Sequence, residues 1–461
     1  MGNYTREEIL QMVEEEDVEF IRLQFTDMFG AIKNIAVTAR ELPRALNNQC
    51  VIDGEQIAGT SGLKDADLYL RPVLDTFAIL PWRPQQGKVA RMICDLYFPD
   101  GTPYKNSPRY ILENVAGKAQ DEGYTCYIDP ECEFFLFHTE DNGNPTTVTH
   151  EQAGYLDISP LDLGENARRD MVLTLEDMGM EVESSHHEAA PAQHEIDFRY
   201  GEIRKIADCI TTFKMAVRIV AKRHGLHATF MPKPKAEVNG SGMHIQFSLI
   251  KDGKNVFESS QNHGELSQEA YYFIGGLLAH SKEMALITNP IVNSYKRLVP
   301  GYDAPTELTW TENNQNSLVR IPVTRGEGIR VELRSPDTSA NPYVVLAICL
   351  AAGLDGIKNK IPPTKSSNLE TKGQQAEHLP STLKEAIDYF EESSWVKEVL
   401  GEEFCDQYIT AKKNEWLRYT RQVTDWEIAE YLYRHESNDA AIGCTCALVC
   451  RCQRCSGAPL P

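Results

Sequence analysis

The run DPECEFFLF, residues 129–137, constrains the fold more than any other feature of the chain. It predicts a strand with Glu131 and Glu133 on one face, because side chains two residues apart in a strand point the same way. The apolar FFLF that follows indicates that this strand enters a core. Two carboxylates on one buried face repel each other and are costly to bury unpaired, so a positive group is expected beside them. A solvated strand face is the alternative.

The composition is typical of a soluble globular enzyme. The 461 residues suffice for two or more domains, and 42% hydrophobic and 25% charged residues are ordinary values. The formal charge of −21 disfavours nucleic acid and anionic membranes as partners. The N-terminal MGNYTREE shows no apolar signal core, and the apolar run from Tyr343 to Leu354 is too short to span a bilayer. We therefore expect a buried helix at that run and a cytoplasmic protein.

The twelve cysteines fall into two groups. Seven are scattered from Cys50 to Cys405, which is the pattern of reduced cytosolic thiols. Five crowd into residues 436–461 with the spacing C-x-C-x₃-C-x-C-x₂-C. We expect this tail to be a disordered appendage. A site for Zn²⁺ or another thiophilic ion is the alternative, although the spacing matches no standard zinc finger and the tail has no His.

Local patterns divide the remaining chain into two domains. A capping box from Thr5 to Glu8 predicts a helix, and the strand-like runs VEFIRLQF and AIKNIAVT predict a hairpin. Strand-like segments continue to about residue 98, and the turn-rich 99–110 is predicted to be a linker in which Ser107-Pro108 caps the next helix. Strands and helices then alternate to about residue 435 without a βαβ rhythm. This order favours an α+β fold built on an antiparallel sheet.

Five further segments carry polar side chains that suit a metal- and anion-binding site. His244, Gln246 and Ser248 are predicted to share one strand face, which follows the loop NGSG. The other candidates are Arg330, Glu332 and Arg334 in RVELR, Glu188 and Glu195 in SSHHEAAPAQHE, Arg297 and Asp303 in NSYKRLVPGYDAP, and Arg320 in LVRIP.

Together these segments predict phosphoryl transfer. Carboxylates with one His favour a divalent ion such as Mg²⁺ or Mn²⁺, and arginines beside such an ion suit phosphate and carboxylate groups. This combination acts by positioning and by charge stabilisation. The chain has no G-x-x-x-x-G-K-[ST] loop and no kinase signature set, so a nucleotide would be held in another way.

The chain resembles glutamine synthetase, specifically the bacterial type I enzyme of the non-adenylylated subtype, from about residue 15 to about residue 430. The motifs are LGENARRD, HHEAAPAQHEIDF, HGLHATFMPKP, NGSGMH, NSYKRLVPGY and RVELRSPD. The resemblance implies a small N-terminal β-grasp domain at 15–100 and a larger catalytic domain at 105–435 with a curved antiparallel sheet and helices. It also implies a dodecamer of two stacked hexameric rings, with each active site between neighbouring subunits.

The reaction implied by the resemblance has two steps. ATP phosphorylates the side-chain carboxylate of L-glutamate, and ammonia then attacks the acyl phosphate to give L-glutamine. Two Mg²⁺ or Mn²⁺ ions would bridge the ATP phosphates. The resemblance assigns one ion to Glu133, Glu188 and Glu195, and the other to Glu131, His244 and Glu332.

The resemblance also assigns substrate positions. Those for glutamate are Asn239, Gly240, Arg297, Asp303 and Arg334, and those near ATP are Glu183, Ser248, Arg320 and Arg330, with Tyr200 lining the adenine pocket. The catalytic positions are Asp303, Arg320 and Asp53. In the family a carboxylate at the position of Asp53 helps to bind and deprotonate ammonium in the neighbouring subunit's site, and Asp67 is nearby.

Departures from the family pattern cluster around the site. Glu55 and Gln56 replace two serines in the segment that the family reads as DGSSIEGF. Asp303 replaces a catalytic glutamate, which withdraws the carboxylate by roughly 1.5 Å, and a misplacement of ~1 Å can cost ~10²-fold in rate. Gln315 replaces an arginine that faces the transferring phosphate, and Gly62 replaces an arginine linked to feedback control.

Three functions remain open at this point. The first is an ordinary glutamine synthetase with tolerated changes. The second is a γ-glutamyl amide ligase that uses an organic amine instead of ammonia, and the third is a low-activity paralogue with a structural or regulatory role. All six metal-ligand positions are intact, which argues against the third function.

Overall fold

The computed structural model describes residues 4–57, 67–83, 85–262, 264–312, 316–324, 326–364, 366 and 377–434. Gly62, Gln315 and the Cys-rich tail at 436–461 lie outside the described residues. The described residues up to Trp416 form one compact unit, and the second unit begins at Leu417.

The N-terminal domain is a sheet with two short helices. Its elements are α1 (Arg6–Glu15), β1 (Val18–Thr26), β2 (Ile32–Thr38), α2 (Leu42–Leu46), β3 (Cys50–Asp53), β4 (Asp67–Pro72), β5 (Ala78–Ile79) and β6 (Lys88–Tyr97). The strand order is β2-β1-β6-β4-β3, with β5 beside β6. The predicted capping box of Thr5 and Glu8 is present at α1, and β1 and β2 form the predicted antiparallel hairpin.

The catalytic domain is built on a larger sheet. Its strands are β7 (Thr125–His138), β8 (Val182–His187), β9 (Gln193–Phe198), β10 (Gly201–Glu202), β11 (Leu226–Thr229), β12 (Met243–Lys251), β13 (Lys254–Asn255), β14 (Trp310–Thr311), β15 (Val319–Arg320) and β16 (Val331–Leu333). The order is β14-β15-β16-β12-β7-β9-β8, and the pairs are antiparallel except β14 with β15. This arrangement agrees with the predicted α+β class.

The described residues that follow the N-terminal sheet also form helices. They are α3 (Pro108–Asp121), α4 (Glu165–Asp177), α5 (Ile203–Arg223), α6 (Gln268–Thr288), α7 (Ser294–Arg297), α8 (Pro342–Asn359), α9 (Leu383–Glu392), α10 (Ser394–Leu400), α11 (Glu402–Thr420) and α12 (Asp425–Tyr431). Helix α3 begins at Pro108 as predicted, but the side chain of Ser107 makes no capping hydrogen bond.

Helix α8 is the predicted buried helix. Its 18 residues have a mean hydropathy of 1.2, long and apolar enough to cross a membrane, yet 72% of that window is buried inside the fold. It packs against α6, and Val345 and Leu350 are fully buried. Helix α8 is therefore a core helix of the catalytic domain.

Polar contacts join the two domains. Arg109, at the start of α3, bonds Asp95 of β6 at 2.6 Å and Asp208 of α5 at 3.1 Å. The side-chain amide of Asn341 donates to the main-chain carbonyls of Asp27 and Met28. These contacts fix the N-terminal sheet against the helices of the catalytic domain. The seven cysteines from Cys50 to Cys405 are free and buried, which agrees with reduced thiols.

Candidate active site

One face of the large sheet gathers the acidic side chains. Glu131 and Glu133 lie on β7 two residues apart, as the alternation of the strand predicts. The strand registers place His244 opposite Glu131 and Glu195 opposite Glu133. The same face of β7 continues with buried Phe135 and Phe137, so the apolar end of this strand enters a core as expected.

The acidic side chains form two clusters, which we call the first and the second. The second cluster consists of Glu131, His244 and Glu332, whose ligand atoms lie within 4.8 Å of one another. The Nδ1 atom of His244 is 2.9 Å from a carboxylate oxygen of Glu131, and the amide of Gln246 donates to the other oxygen at 2.5 Å. Burial acts to raise the pKa of Glu131, but the hydrogen bond and charge of His244 outweigh it and lower the pKa to about 2.

The first cluster consists of Glu133, Glu188, Glu195 and His186. Ligand atoms of His186, Glu188 and Glu195 lie within 4.8 Å of one another, on the hairpin formed by β8 and β9. Glu133 lies beside them and is hydrogen-bonded to the amide of Gln193 at 2.7 Å and to the Gly242 N–H at 3.0 Å. His186 was missed from the sequence, although it is two residues from Glu188 and its strand register places it opposite Glu195.

Negative charge accumulates in the first cluster. Burial, and then the neighbouring Glu188, raises the pKa of Glu133 to about 8. Burial and Asp197 raise the pKa of Glu195 above its ordinary range. Buried carboxylates in this state need a cation to remain ionised near neutral pH.

Both clusters suit divalent cations. Carboxylate oxygens with one imidazole form a donor set that Mg²⁺ and Mn²⁺ accept. The Nε2 atom of His244 is buried and has no hydrogen-bond partner among the described residues. This orphaned nitrogen and the raised pKa of Glu133 are both explained if cations bind here.

Two arginines surround Glu332, which is fully buried. Arg320 bonds one carboxylate oxygen of Glu332 at 3.0 Å, and Arg334 bonds the other at 2.7 Å. Arg334 also donates to Asp303 at 3.1 Å. The second cluster is therefore adjacent to positive charge that the chain itself supplies.

Arg297, which was predicted to bind the amino-acid substrate, lies in a buried position beside the loop after β16. It is 1% exposed and donates to the main-chain carbonyls of Ser335 at 2.8 Å and Arg334 at 3.1 Å. These bonds hold the loop after β16. Gly242 permits the close approach of Arg297 to His244, because a Cβ atom there would lie 2.5 Å from the Arg297 guanidinium and 2.9 Å from the His244 ring.

The loop predicted to bind glutamate adjoins the first cluster. Gly240 is buried, and its carbonyl accepts a hydrogen bond from Gln193 at 3.1 Å. A Cβ atom at Gly240 would lie 2.2 Å from the Pro232 carbonyl oxygen, so only glycine fits this position. Asn239 is half-buried beside it. The sheet thus brings this loop to the carboxylates as the sequence predicted.

The residues predicted near ATP form a second group on the same sheet. Tyr200 stacks on Tyr127 with ring centroids 5.0 Å apart, and the Arg330 guanidinium lies 5.1 Å from the Tyr200 ring. Tyr200 also hydrogen-bonds Ser248. Stacked rings beside an arginine form a surface that suits a flat heterocycle.

Asp129 was not predicted and links this aromatic group to the carboxylates. It is 6% exposed and bonds Arg330. Burial raises its pKa to about 7, opposed by Arg330 and assisted by Glu183 and Glu131. Glu183 is exposed on β8, so it contributes charge to this region from the edge of the sheet.

Asp53 lies on the N-terminal sheet. Its carboxylate accepts the Glu55 N–H at 2.9 Å, and the register of β3 with β4 places Asp67 directly opposite. Asp53, Asp67, Glu55 and Gln56 are all exposed. Two exposed carboxylates face each other on neighbouring strands, an arrangement that repulsion destabilises unless a cation binds.

A cavity of about 580 Å³ opens beside Asp303. Its lining residues are Pro300, Gly301, Tyr302, Asp303, Ala304, Thr306, Glu307 and Asn316. The ring of Tyr302 lies 3.4 Å from the Lys233 ammonium, and Asp303 is held by Arg334. The Asp303 carboxylate therefore borders open space.

Family models match both domains. The model described as glutamine synthetase, catalytic domain, matches residues 105–431, and the model described as glutamine synthetase, beta-Grasp domain, matches residues 17–99. A glutamine synthetase of Clostridium saccharobutylicum is 52% identical over 443 residues, which are 94% of this chain and all of the relative. The glutamine synthetase of Methanosarcina mazei is 49% identical over 436 residues, 93% of this chain and 98% of the relative.

Solved structures also resemble the chain. One titled "GmaS/ADP complex-Conformation 1" superposes with a TM-score of 0.83 at 32% identity, over 92% of this chain and 99% of that chain. A second, "Apo GmaS without ligand", has a TM-score of 0.81 at the same identity and coverage.

Proposed function

The chain belongs to the glutamine synthetase family, and we infer that its ATP-dependent joining of L-glutamate and ammonia takes place on the acidic face of the large sheet. The observation that carries this assignment is the pair of carboxylate clusters, held in register across five strands and bordered by arginines. The enzyme is a glutamate–ammonia ligase that forms glutamine through γ-glutamyl phosphate.

We propose that each cluster holds one Mg²⁺ or Mn²⁺ ion. Glu133, Glu188 and Glu195 would hold one ion, with His186 beside it, and Glu131, His244 and Glu332 would hold the other. Such ions supply charge that neutralises the phosphates during transfer. The family in general uses ATP and divalent metal ions, and the raised pKa of Glu133 supports a need for a cation here.

The arginines are proposed to bind and orient the substrates. Arg334 and Arg320 both adjoin Glu332, so their remaining donors lie close to the second ion position and suit an anionic carboxylate or phosphate. Asp303 acts from the loop bonded to Arg334. Arg297 holds the loop after β16 by its hydrogen bonds to main-chain carbonyls, and its positive charge lies near Glu133.

The nucleotide is proposed to lie with its base near Tyr200 and Arg330, and with its phosphates toward the two clusters. A tyrosine ring and a guanidinium group are both flat surfaces on which the adenine ring can stack. Ser248, bonded to Tyr200, and Glu183 at the sheet edge complete the group. Asp129 fixes the Arg330 guanidinium through an ion pair.

Asp53 is proposed to serve the site of a neighbouring subunit in a homo-oligomer, a dodecamer. Asp67 lies opposite Asp53, and the two carboxylates suit an ammonium ion. Large apolar side chains between 155 and 163 support an interface, because each is more than half exposed: Tyr155, Leu156, Ile158, Leu161 and Leu163. Native mass measurement tests the assembly, and a hexamer would indicate that the tail prevents ring stacking.

The domain boundaries are proposed at residues 15–100, 105–435 and 436–461. Separate cores support the first two domains: the N-terminal core includes Ile21 and Leu68, whereas the catalytic core includes Phe134 and Leu346. We place the enzyme in the cytoplasm, because the curated relatives are glutamine synthetases, and we expect neither nucleic acid nor membrane as a partner.

Phosphate release by the purified enzyme tests the function. The assay contains glutamate, ATP and Mg²⁺ with either ammonium or one of a panel of organic amines. We expect ammonium to be the preferred nucleophile, and the Glu195→Gln variant to lose ~10²–10³-fold in kcat through loss of charge stabilisation. Asp170→Asn, which alters an exposed ion pair with His224, is the matched control and should retain activity. Absence of turnover with every nucleophile would overturn the assignment.

The cavity beside Asp303 favours a second candidate, a γ-glutamyl amide ligase that uses an organic amine. The shorter carboxylate leaves room where a larger nucleophile would enter. Under this candidate an amine outperforms ammonium in the panel, and Asp303→Glu combined with Gln315→Arg raises ammonium-dependent activity. No gain in the double variant would count against it.

A further inference from the structure

The hairpin formed by β8 and β9 carries three members of the first cluster, and its turn has an unusual backbone. Glu188 follows β8 directly, Glu195 lies within β9, and residues 189–192 connect them. Ala192 has a φ of +71°, a left-handed conformation that non-glycine residues rarely adopt. Below the turn, Ala190 and Ala192 pack on Phe135 and Phe137. The turn is therefore held in place by its surroundings.

One carboxylate outside the two clusters makes several of the hydrogen bonds that fix this turn. Glu151 is 3% exposed. One of its oxygens accepts a hydrogen bond from the Ala192 N–H at 2.5 Å and lies 2.7 Å from Nε2 of His187. The other oxygen accepts from the Leu163 N–H at 2.8 Å and the Gly164 N–H at 3.2 Å. Four groups from three segments thus converge on a single side chain.

His187 connects Glu151 to the main chain of Glu188, a member of the first cluster. Its Nδ1 atom lies 2.6 Å from the main-chain carbonyl of Glu188, and a carbonyl oxygen can only accept, so Nδ1 donates. Glu151 therefore fixes the imidazole from one side, and the imidazole fixes the Glu188 main chain from the other. Through Ala192 the same carboxylate fixes the other end of the turn, three residues before Glu195.

This network does not itself resemble an ion site. Glu151, Asp162, His187 and His194 have ligand atoms within 4.8 Å of one another. However, the Arg168 guanidinium lies 2.8 Å from Asp162 and 2.8 Å from Nδ1 of His194. A cation of the chain already occupies the position that a metal ion would need, so the cluster acts as a support.

We propose that Glu151 is a positioning residue that sets the relative placement of Glu188 and Glu195 and thereby the affinity of the first cluster for its metal ion. The proposal rests on the assignment of that cluster as a metal site. Partners that orient metal ligands from outside typically contribute 10–100-fold to metal affinity. Glu151 fits this role because its bonds reach both ends of the turn between the two ligands.

The test measures Mn²⁺ binding by the electron paramagnetic resonance signal of free Mn²⁺, using the full chain without substrates. Two parent variants each retain one cluster: His244→Asn retains the first, and Glu195→Gln retains the second. Glu151→Gln is added to each parent. We expect Mn²⁺ affinity to fall ~10–100-fold in the His244→Asn parent and to remain unchanged in the Glu195→Gln parent. A role confined to general stability would weaken both parents equally, and that result would overturn the proposal.

Two further variants keep the experiment decisive. Glu151→Asp retains the carboxylate on a shorter side chain, and we expect an intermediate loss confined to the His244→Asn parent; no loss there would overturn the proposal. Asp170→Asn removes a carboxylate that lies 2.9 Å from His224, and it should change neither parent. If Glu195→Gln bound as many ions as the unaltered chain, the metal assignment itself would fail, which is a separate result from failure of Glu151 alone.

Discussion

The two carboxylate clusters differ in how their charge is balanced. In the second cluster, Glu332 is bonded by Arg320 and Arg334, and Glu131 by His244. In the first cluster the donors are neutral: the Gln193 amide and the Gly242 N–H reach Glu133, and the Ala189 N–H reaches Glu188 at 2.9 Å. Guanidinium groups thus hydrogen-bond a carboxylate of the second cluster directly, whereas these hydrogen bonds to the first cluster come from neutral groups, and Arg297 acts on Glu133 through its nearby charge.

This difference predicts different dependence on metal. Burial acts to raise the pKa of Glu131, but the hydrogen bond and charge of His244 lower it, so this carboxylate stays ionised without a metal ion. The first cluster has the opposite tendency, because burial raises the pKa of Glu133 to about 8. A metal ion therefore reduces the repulsion between buried carboxylates in the first cluster. In the second cluster the ion competes with the arginines that already pair with Glu332. Four measurements, taken from the largest expected effect to the smallest, test this comparison.

Glu332→Gln should cause the largest loss of stability. It removes the charge of a fully buried carboxylate, so Arg320 loses its ion pair with Glu332 and Arg334 keeps only the ion pair with Asp303. Breaking a buried pair in this way costs about 3–5 kcal/mol. Urea unfolding of the chelator-treated protein measures the loss. Glu398→Gln on the exposed face of α10 is the control and should lie within ±0.5 kcal/mol of the unaltered chain. A loss as small as that of the control would show that the arginines are balanced elsewhere.

Metal addition should stabilise the protein mainly through the first cluster. An ion at about 100 times its dissociation constant contributes roughly 2.7 kcal/mol per site. The shift in melting temperature with Mg²⁺ is compared in the unaltered chain, in Glu195→Gln and in His244→Asn. We expect Glu195→Gln to lose the larger part of the shift. Equal losses in the two variants would contradict the proposed difference between the clusters.

The local features of both clusters were predictable from the sequence, because strand alternation operates over two residues. Glu131 with Glu133, and His244 with Gln246, share a face as the pattern predicts. The hairpin of β1 and β2 and the capping box of α1 also depend only on neighbouring residues. Such features need no knowledge of which strands become neighbours.

Long-range pairing was not predictable from the residues alone. Nothing local in the sequence encodes that β7 lies between β9 and β12, and this order places Glu195 opposite Glu133 and His244 opposite Glu131. Glu151 lies in a polar loop, where no sequence pattern indicates its contacts with the β8–β9 hairpin. The burial of Arg297, whose guanidinium donates to the carbonyls of Arg334 and Ser335, has no local signal in the sequence either. Burial of an arginine is decided by packing, which the sequence does not display.

Gly242→Ala should disturb the second cluster more than the first. The new Cβ atom would meet the Arg297 guanidinium at 2.5 Å and the His244 ring at 2.9 Å, while the Gly242 N–H can still reach Glu133. Overpacking of this kind costs about 1–3 kcal/mol. Mn²⁺ titration should show weaker binding at the cluster that contains His244. Gly117→Ala in α3, where a Cβ atom meets nothing within 4 Å, is the control and should stabilise by roughly 0.5–1 kcal/mol.

Glu195→Gln should stabilise the metal-free protein slightly, which is the reverse of Glu332→Gln. A carboxyl whose pKa is raised by folding loses stability as the pH rises above its unfolded value, because the folded state holds the proton that the unfolded state releases. The amide removes this penalty, so a small gain in the free energy of unfolding is expected at pH 8. The gain should shrink toward pH 5, where the unfolded carboxyl also becomes protonated. Urea unfolding at both pH values in the presence of a chelator measures it, and a loss at pH 8 like that of Glu332→Gln would mean that the first cluster is already balanced by the chain.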